Sequence, residues 1–137
     1  MVDVSVTASV KVQGGPTMPL GASLAPDSYT FASSSLEAAG GADEVEVPLL
    51  PDGGTVALLA LRATTSGGSG QGSAATVTVT PSHGTTSGDP IVVDGTLLVA
   101  NPHVLAALVT DGPRGLTVKN DGPDPVAVDV LVCLDTP

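Results

Sequence analysis

A chain of 137 residues is long enough for one well-filled domain and short for two. Its fourteen acidic residues against four basic ones (Lys11, Arg62, Arg114 and Lys119) give a formal net charge of −10, which argues against nucleic acid and anionic membrane surfaces as partners. One Tyr, one Phe and no Trp leave a core to be filled with Val, Leu and Ala, and they provide few of the aromatic platforms on which sugar and single-strand sites depend.

Val2, Val4, Val6, Ala8, Val10 and Val12 alternate with polar residues, which predicts a long strand with one wet face. It ends at Gln13-Gly14-Gly15-Pro16. The segment 13–28, with Pro16, Pro19, Gly21 and Pro26, is expected to be an extended surface loop or arm, either mobile or docked on a neighbouring subunit. Tyr29 to Ala38 reads as a second strand and Val45 with Val47 as a third, the latter flanked by Asp43, Glu44 and Glu46 as a solvated edge. The turn Pro51-Asp52-Gly53-Gly54 leads into Thr55–Arg62, apolar on both faces in its middle and so expected at the centre of a sheet.

Ser66 to Ser73 has a linker's composition, but strands resume at once, so it reads as a hairpin loop within one domain. Ala75, Val77 and Val79 form the next alternating run. Ile91–Val93 and Thr96–Ala100 flank Asp94-Gly95, a two-residue signal for a β-hairpin. Asn101 as N-cap and Pro102 at the first helical position predict one short helix near 102–109, with Gly112 as a terminator, the alternative being another strand. From Arg114 to Leu134, two alternating segments flank Asn120-Asp121-Gly122-Pro123-Asp124-Pro125, which predicts a closing hairpin. The expected fold class is all-β, a β-sandwich or jelly-roll of about eight to nine short strands in a single domain spanning 1–137.

Tests for chemistry yield no catalytic, cofactor-binding or metal-binding residue to nominate. His83 and His103 read as solvent-exposed or capping imidazoles, and Cys133, the lone cysteine, as a small buried hydrophobe that forms no disulfide within the chain. Two histidines and one cysteine do not make a zinc set. Asn120, Asp121 and Asp124 gather oxygen ligands in one turn, but without EF-hand spacing, and ordinary turn chemistry explains them. The glycine-rich run Gly67 to Gly72 lacks the ending of a phosphate loop. The opening MVDVSVTASV does not read as a signal peptide and no apolar run reaches the ~18 residues of a membrane span, so synthesis in the cytoplasm is expected.

The run GPRGLTVKNDGPDPVAVDVLV, preceded by the leucine-rich segment Leu97 to Leu108, resembles the C-terminal part of small β-structured virion proteins of tailed bacteriophages, of the capsid decoration and minor head type. The shared features are Gly112-Pro113, the Leu-x-Val-x-Asn strand of Leu116, Val118 and Asn120, and the valine-alternating strand Val126 to Val132, about the last third of the chain. The resemblance implies a sandwich or jelly-roll subunit, commonly a homotrimer, that binds the major capsid protein on the outside of the head, with no catalytic residues to carry over. A carbohydrate-binding or adhesive sandwich on a tail or cell surface is the alternative; an enzyme on a β-scaffold would need His83 or His103 held against a carboxylate.

Overall fold

The computed structural model describes residues 2–49, 54–67 and 72–135. Among these it has eleven strands and one short helix: β1 (Val4–Lys11), β2 (Thr17–Leu24), β3 (Ser28–Leu36), β4 (Glu44–Pro48), β5 (Thr55–Thr65), β6 (Thr76–His83), β7 (Thr86–Ser87), β8 (Ile91–Asp94), β9 (Thr96–Val99), α1 (Pro102–Ala106), β10 (Gly115–Lys119) and β11 (Val126–Asp135). Every strand pairing is antiparallel. One sheet runs β3-β11-β5-β9. The other runs β4-β10-β6, and the far side of β6 is shared by β8 along its first half and β7 at its end.

With the β1-β2 hairpin and the two-residue β7 set aside, the remaining strands number one to eight in chain order, and the sheets read 1-8-3-6 and 2-7-4-5. That order is the jelly roll: each strand hands the chain to the opposite sheet, except at the one step from β6 to β8. The fold is therefore all-β, as the alternating runs predict, with the last strand at the heart of one sheet and the next-to-last at the heart of the other.

Alternation fills the space between the sheets. Val126, Val128, Val130 and Val132 of β11 line up with Leu59, Leu61 and Ala63 of β5, and they face Leu116 and Val118 of β10, Val77 and Val79 of β6 and Val93 of β8. Each buried Val or Leu stabilises by about 1.5–3 kcal/mol, and the cluster does this without an aromatic ring. α1 closes one end. Asn101 Oδ1 accepts from the backbone N–H of His103 (3.0 Å) and of Val104 (3.4 Å), and Leu105 drops into the core. The helix ends at Ala106, short of the expected 109; Gly112 (φ +82°) sits beyond it, in the turn that leads to β10.

Three expected hairpins are corners between the sheets instead. β10 pairs with β4 and β6, β11 pairs with β3 and β5, and the two never meet as partners. Asn120 makes the corner. Nearly fully buried, it donates from Nδ2 to the carbonyls of Glu37 (3.0 Å) and Asp124 (2.8 Å), and its Oδ1 accepts from Gly122 N–H (3.0 Å). Gly95, with φ +78°, likewise joins strands of different sheets. Its N–H donates to Ala75 O (2.8 Å) and its carbonyl accepts from Ala63 N–H (2.7 Å), which pins the crossover to both. The loop after β5 starts as a hairpin, through the Thr64–Ala74 bridge, before β6 departs to the other sheet; its residues 68–71, like Pro51, Asp52 and Gly53 of the earlier turn, lie outside the described residues.

The segment 13–28 is a further correction, because it holds a regular strand. In β2, Met18, Leu20, Ala22 and Leu24 alternate just as the valines of β1 do, and they pair across with Val10, Ala8, Val6 and Val4. Pro19 and Gly21 mask that alternation in the sequence, yet both lie on the opposite face, where an isolated hairpin tolerates them.

Candidate functional site

The β1-β2 hairpin forms a sheet of its own. Its base is tied down by Val2 N–H donating to Pro26 O (2.9 Å) and by Asp27 N–H donating to Leu134 O (3.0 Å). Beyond that base it projects. The face built from Val4, Val6, Ala8 and Val10 with Met18, Leu20, Ala22 and Leu24 is half-buried near the sandwich and becomes open toward the tip. Val10 (53 %), Val12 (53 %), Met18 (58 %) and Leu20 (44 %) are exposed to a degree unusual for large apolar side chains grouped together.

A second apolar surface lies beside it, on the outer face of β3-β11-β5-β9. Registers place Tyr29 and Phe31 of β3, Leu131 of β11, Ala60 of β5 and Leu98 of β9 on that face, opposite to the core valines. Tyr29 and Phe31, the protein's only Tyr and Phe, are both more than half exposed there. A shallow cleft of about 300 Å³ runs between Phe31, Ala60, Leu98 and Leu131. At its end Arg62 Nη2 meets Asp129 Oδ2 at 2.6 Å, and Ser33 Oγ donates to Asp129 Oδ1 at 2.7 Å. Arg62 first, and Ser33 after it, hold the Asp129 carboxyl below its ordinary pKa.

Cys133 lies on this same face and is fully buried, as expected for a small hydrophobe. A gap of about 290 Å³ beside it is lined by Val2, Val4, Tyr29 and Leu131, so hairpin base and sheet face share one apolar margin. Loss of water, reinforced by the nearby Asp135 charge, pushes the Cys133 thiol pKa up, away from the thiolate form.

The structure also brings the two histidines together, which their separation in sequence does not reveal. A cleft of about 340 Å³ at the α1 end is lined by His83, His103, Asp111 and Arg114 among others. His83 Nδ1 lies 2.8 Å from the Gly112 carbonyl, so the tautomer with a proton there donates to it; His103 is exposed at the start of α1. Among the described residues neither imidazole hydrogen-bonds a carboxylate. Asp111 takes φ +68° in the turn just before Gly112, a conformation Asp tolerates.

At the Asn120 corner the oxygens diverge. Asp121 Oδ2 accepts from Thr78 Oγ1 (3.0 Å) and its Oδ1 is 3.7 Å from Lys119 Nζ, while the Asn120 side chain is fully engaged by backbone. Among the described residues no group of three or more His, Cys, Asp or Glu side chains is placed to hold a metal ion. No protein-family profile, curated protein or solved structure matches this chain.

Proposed function

We propose that the protein is a structural component of a virus particle: a capsid decoration protein that binds the outer surface of a tailed-phage head as a homo-oligomer, three copies being favoured, and stabilises it through contacts with the major capsid protein. The observation that carries this reading is the pair of uncovered apolar surfaces, the hairpin face and the outer face of the β3-β11-β5-β9 sheet, on an otherwise strongly acidic molecule. Such surfaces have value when covered by protein. Jelly rolls serve in viral capsids but also in lectins and other proteins, so the fold is compatible with the role without selecting it.

The physical logic is avidity. A subunit that contacts a repeated lattice at several points needs only modest affinity at each, because once one contact forms the others become intramolecular. On this reading the protein is not an enzyme, is made in the host cytoplasm and works on the capsid exterior. Cryo-electron microscopy of the particle that carries it tests the assignment: density for the jelly roll on the outer capsid surface is expected, and its location on the tail or its absence from the particle overturns it.

Tyr29 and Phe31, exposed side by side on one sheet face, favour a second reading, an adhesive or carbohydrate-binding module. A glycan array discriminates: saturable binding lost on Phe31→Ala supports it, and no binder rejects it.

A further inference from the structure

Resting on the homo-oligomeric part of that reading, we infer that the β1-β2 hairpin is an exchange arm: its apolar face lies over the outer face of the β3-β11-β5-β9 sheet in the next copy of the same chain. Three observations point to a second copy as the occupant.

The first is that the hairpin is incomplete. A lone two-stranded ribbon is at best marginally stable in water, and a third layer against its apolar face is what such a ribbon needs. That face is half-buried at Val4, Val6, Ala8, Ala22 and Leu24, toward the sandwich, and open at Val10, Met18 and Leu20.

The second is charge. From Val4 to Pro26 there is no acidic residue, and Lys11, near the tip, is the only charge; all fourteen acidic residues lie outside that stretch. Among the described residues Lys11 has no ion-pair partner. Two whole molecules at −10 repel one another, whereas the hairpin, whose only charge is Lys11, is attracted by another copy's acidic body. The receiving face is itself apolar, and the Arg62–Asp129 pair at its end adds no net charge, so the attraction is to the acidic body as a whole.

The third is area. Two eight-residue strands present a face about 27 Å by 10 Å, so one hairpin laid on one sheet buries on the order of 500 Å² over both partners, half the ~1,000 Å² of a stable interface. One such contact does not hold. Because donor and acceptor surfaces differ, the contact is head-to-tail, and it becomes durable when it closes into a ring in which every copy gives one hairpin, receives one and is held twice. A ring of three fits the favoured copy number.

The test compares the full-length chain with the hairpin variant Met18→Asp/Leu20→Asp and the face variant Phe31→Asp, using analytical ultracentrifugation, with circular dichroism to verify the fold. All three changes fall on exposed side chains. The expected result is an oligomer for the parent and at least about a tenfold weaker association for either variant. A photo-crosslinker, p-benzoylphenylalanine, placed at position 18 in a mixture of ¹⁴N and ¹⁵N chains is expected to label peptides of β3, β9 or β11 in the other isotope. A hairpin variant with the parent's mass overturns the exchange arm and leaves the oligomer standing. A parent that stays a single chain overturns both, whereas crosslinking confined within one chain overturns the arm alone. Crosslinking of position 18 to capsid protein on isolated heads, with none between copies, assigns the hairpin to the lattice; it overturns the arm and leaves the virion reading intact.

Discussion

Asn120 shows how one side chain can fix a topology. Its amide, itself almost fully buried, holds two carbonyls from separate segments and one N–H, so Asn120→Ala removes three hydrogen bonds that tie the corner together. Urea denaturation is expected to show a loss of about 2–4 kcal/mol, against less than about 1 kcal/mol for a change at exposed Thr7. Gly95→Ala is expected to cost about 1–3 kcal/mol in the same measurement, since a Cβ there both strains φ +78° and comes within 2.8 Å of the Ala74 methyl. Asp129 is the residue with a pH signature. Its carboxyl titrates lower in the folded than in the unfolded state, so its contribution is present above the unfolded carboxylate range and is lost as pH falls through the depressed folded value. Arg62 is mostly exposed, so the effect is small; Asp129→Asn is expected to lower stability at neutral pH by under about 1 kcal/mol and to make no difference at the acid end, where both forms are neutral. Asn120 and Gly95 were readable in the sequence as turn formers. Their tertiary partners were not, because Glu37 and Asp43 reach Asn120 only through the fold.

At the scale of elements, the period of two told which residues face inward and nothing about which strand lies alongside. Val126 to Val132 were legible as a buried stripe, and they are one; that β11 pairs with β3 and β5, and not with its neighbour β10, depends on long-range register that no local signal encodes. Asp94-Gly95 shows the same limit, since a residue at φ +78° serves a crossover between sheets as well as it serves a hairpin. In β2 the opposite happened: proline and glycine on the polar face hid an alternation that Met18, Leu20, Ala22 and Leu24 carry on the other. The hairpin and the jelly roll share only a base, which yields a prediction. Deletion of residues 1–26 is expected to leave the sandwich folded by circular dichroism and to speed the reaction of Cys133 with a thiol reagent, because Val2 and Val4 line the gap beside its sulfur. Unchanged reactivity would mean that the sheet itself, with Leu58 of β5 buried directly across from Cys133, does the shielding.

For the molecule as a whole, an aromatic-free core is sufficient for a sandwich, and both remaining aromatics are left on the outside, next to a projecting ribbon with a greasy face. The sequence suggested an extended loop or arm at 13–28, where the fold has a strand, and it did not reveal the outer apolar face, since Tyr29, Ala60, Leu98 and Leu131 come from four strands that meet only after folding. Nor did it find that His83 and His103 share a cleft, for the same reason. If the Asn120 corner is held by protein groups alone, melting temperature is expected to be equal in calcium and in EDTA; a calcium-dependent rise would assign the corner to a metal.

Hydrogen exchange reads directly whether the hairpin is covered when copies meet. Amides of residues 4–24 are expected to exchange slowly at high protein concentration and to lose their protection on dilution, while those of β5 and β11 stay protected throughout. Hairpin amides whose exchange is the same at every concentration would contradict the exchange arm.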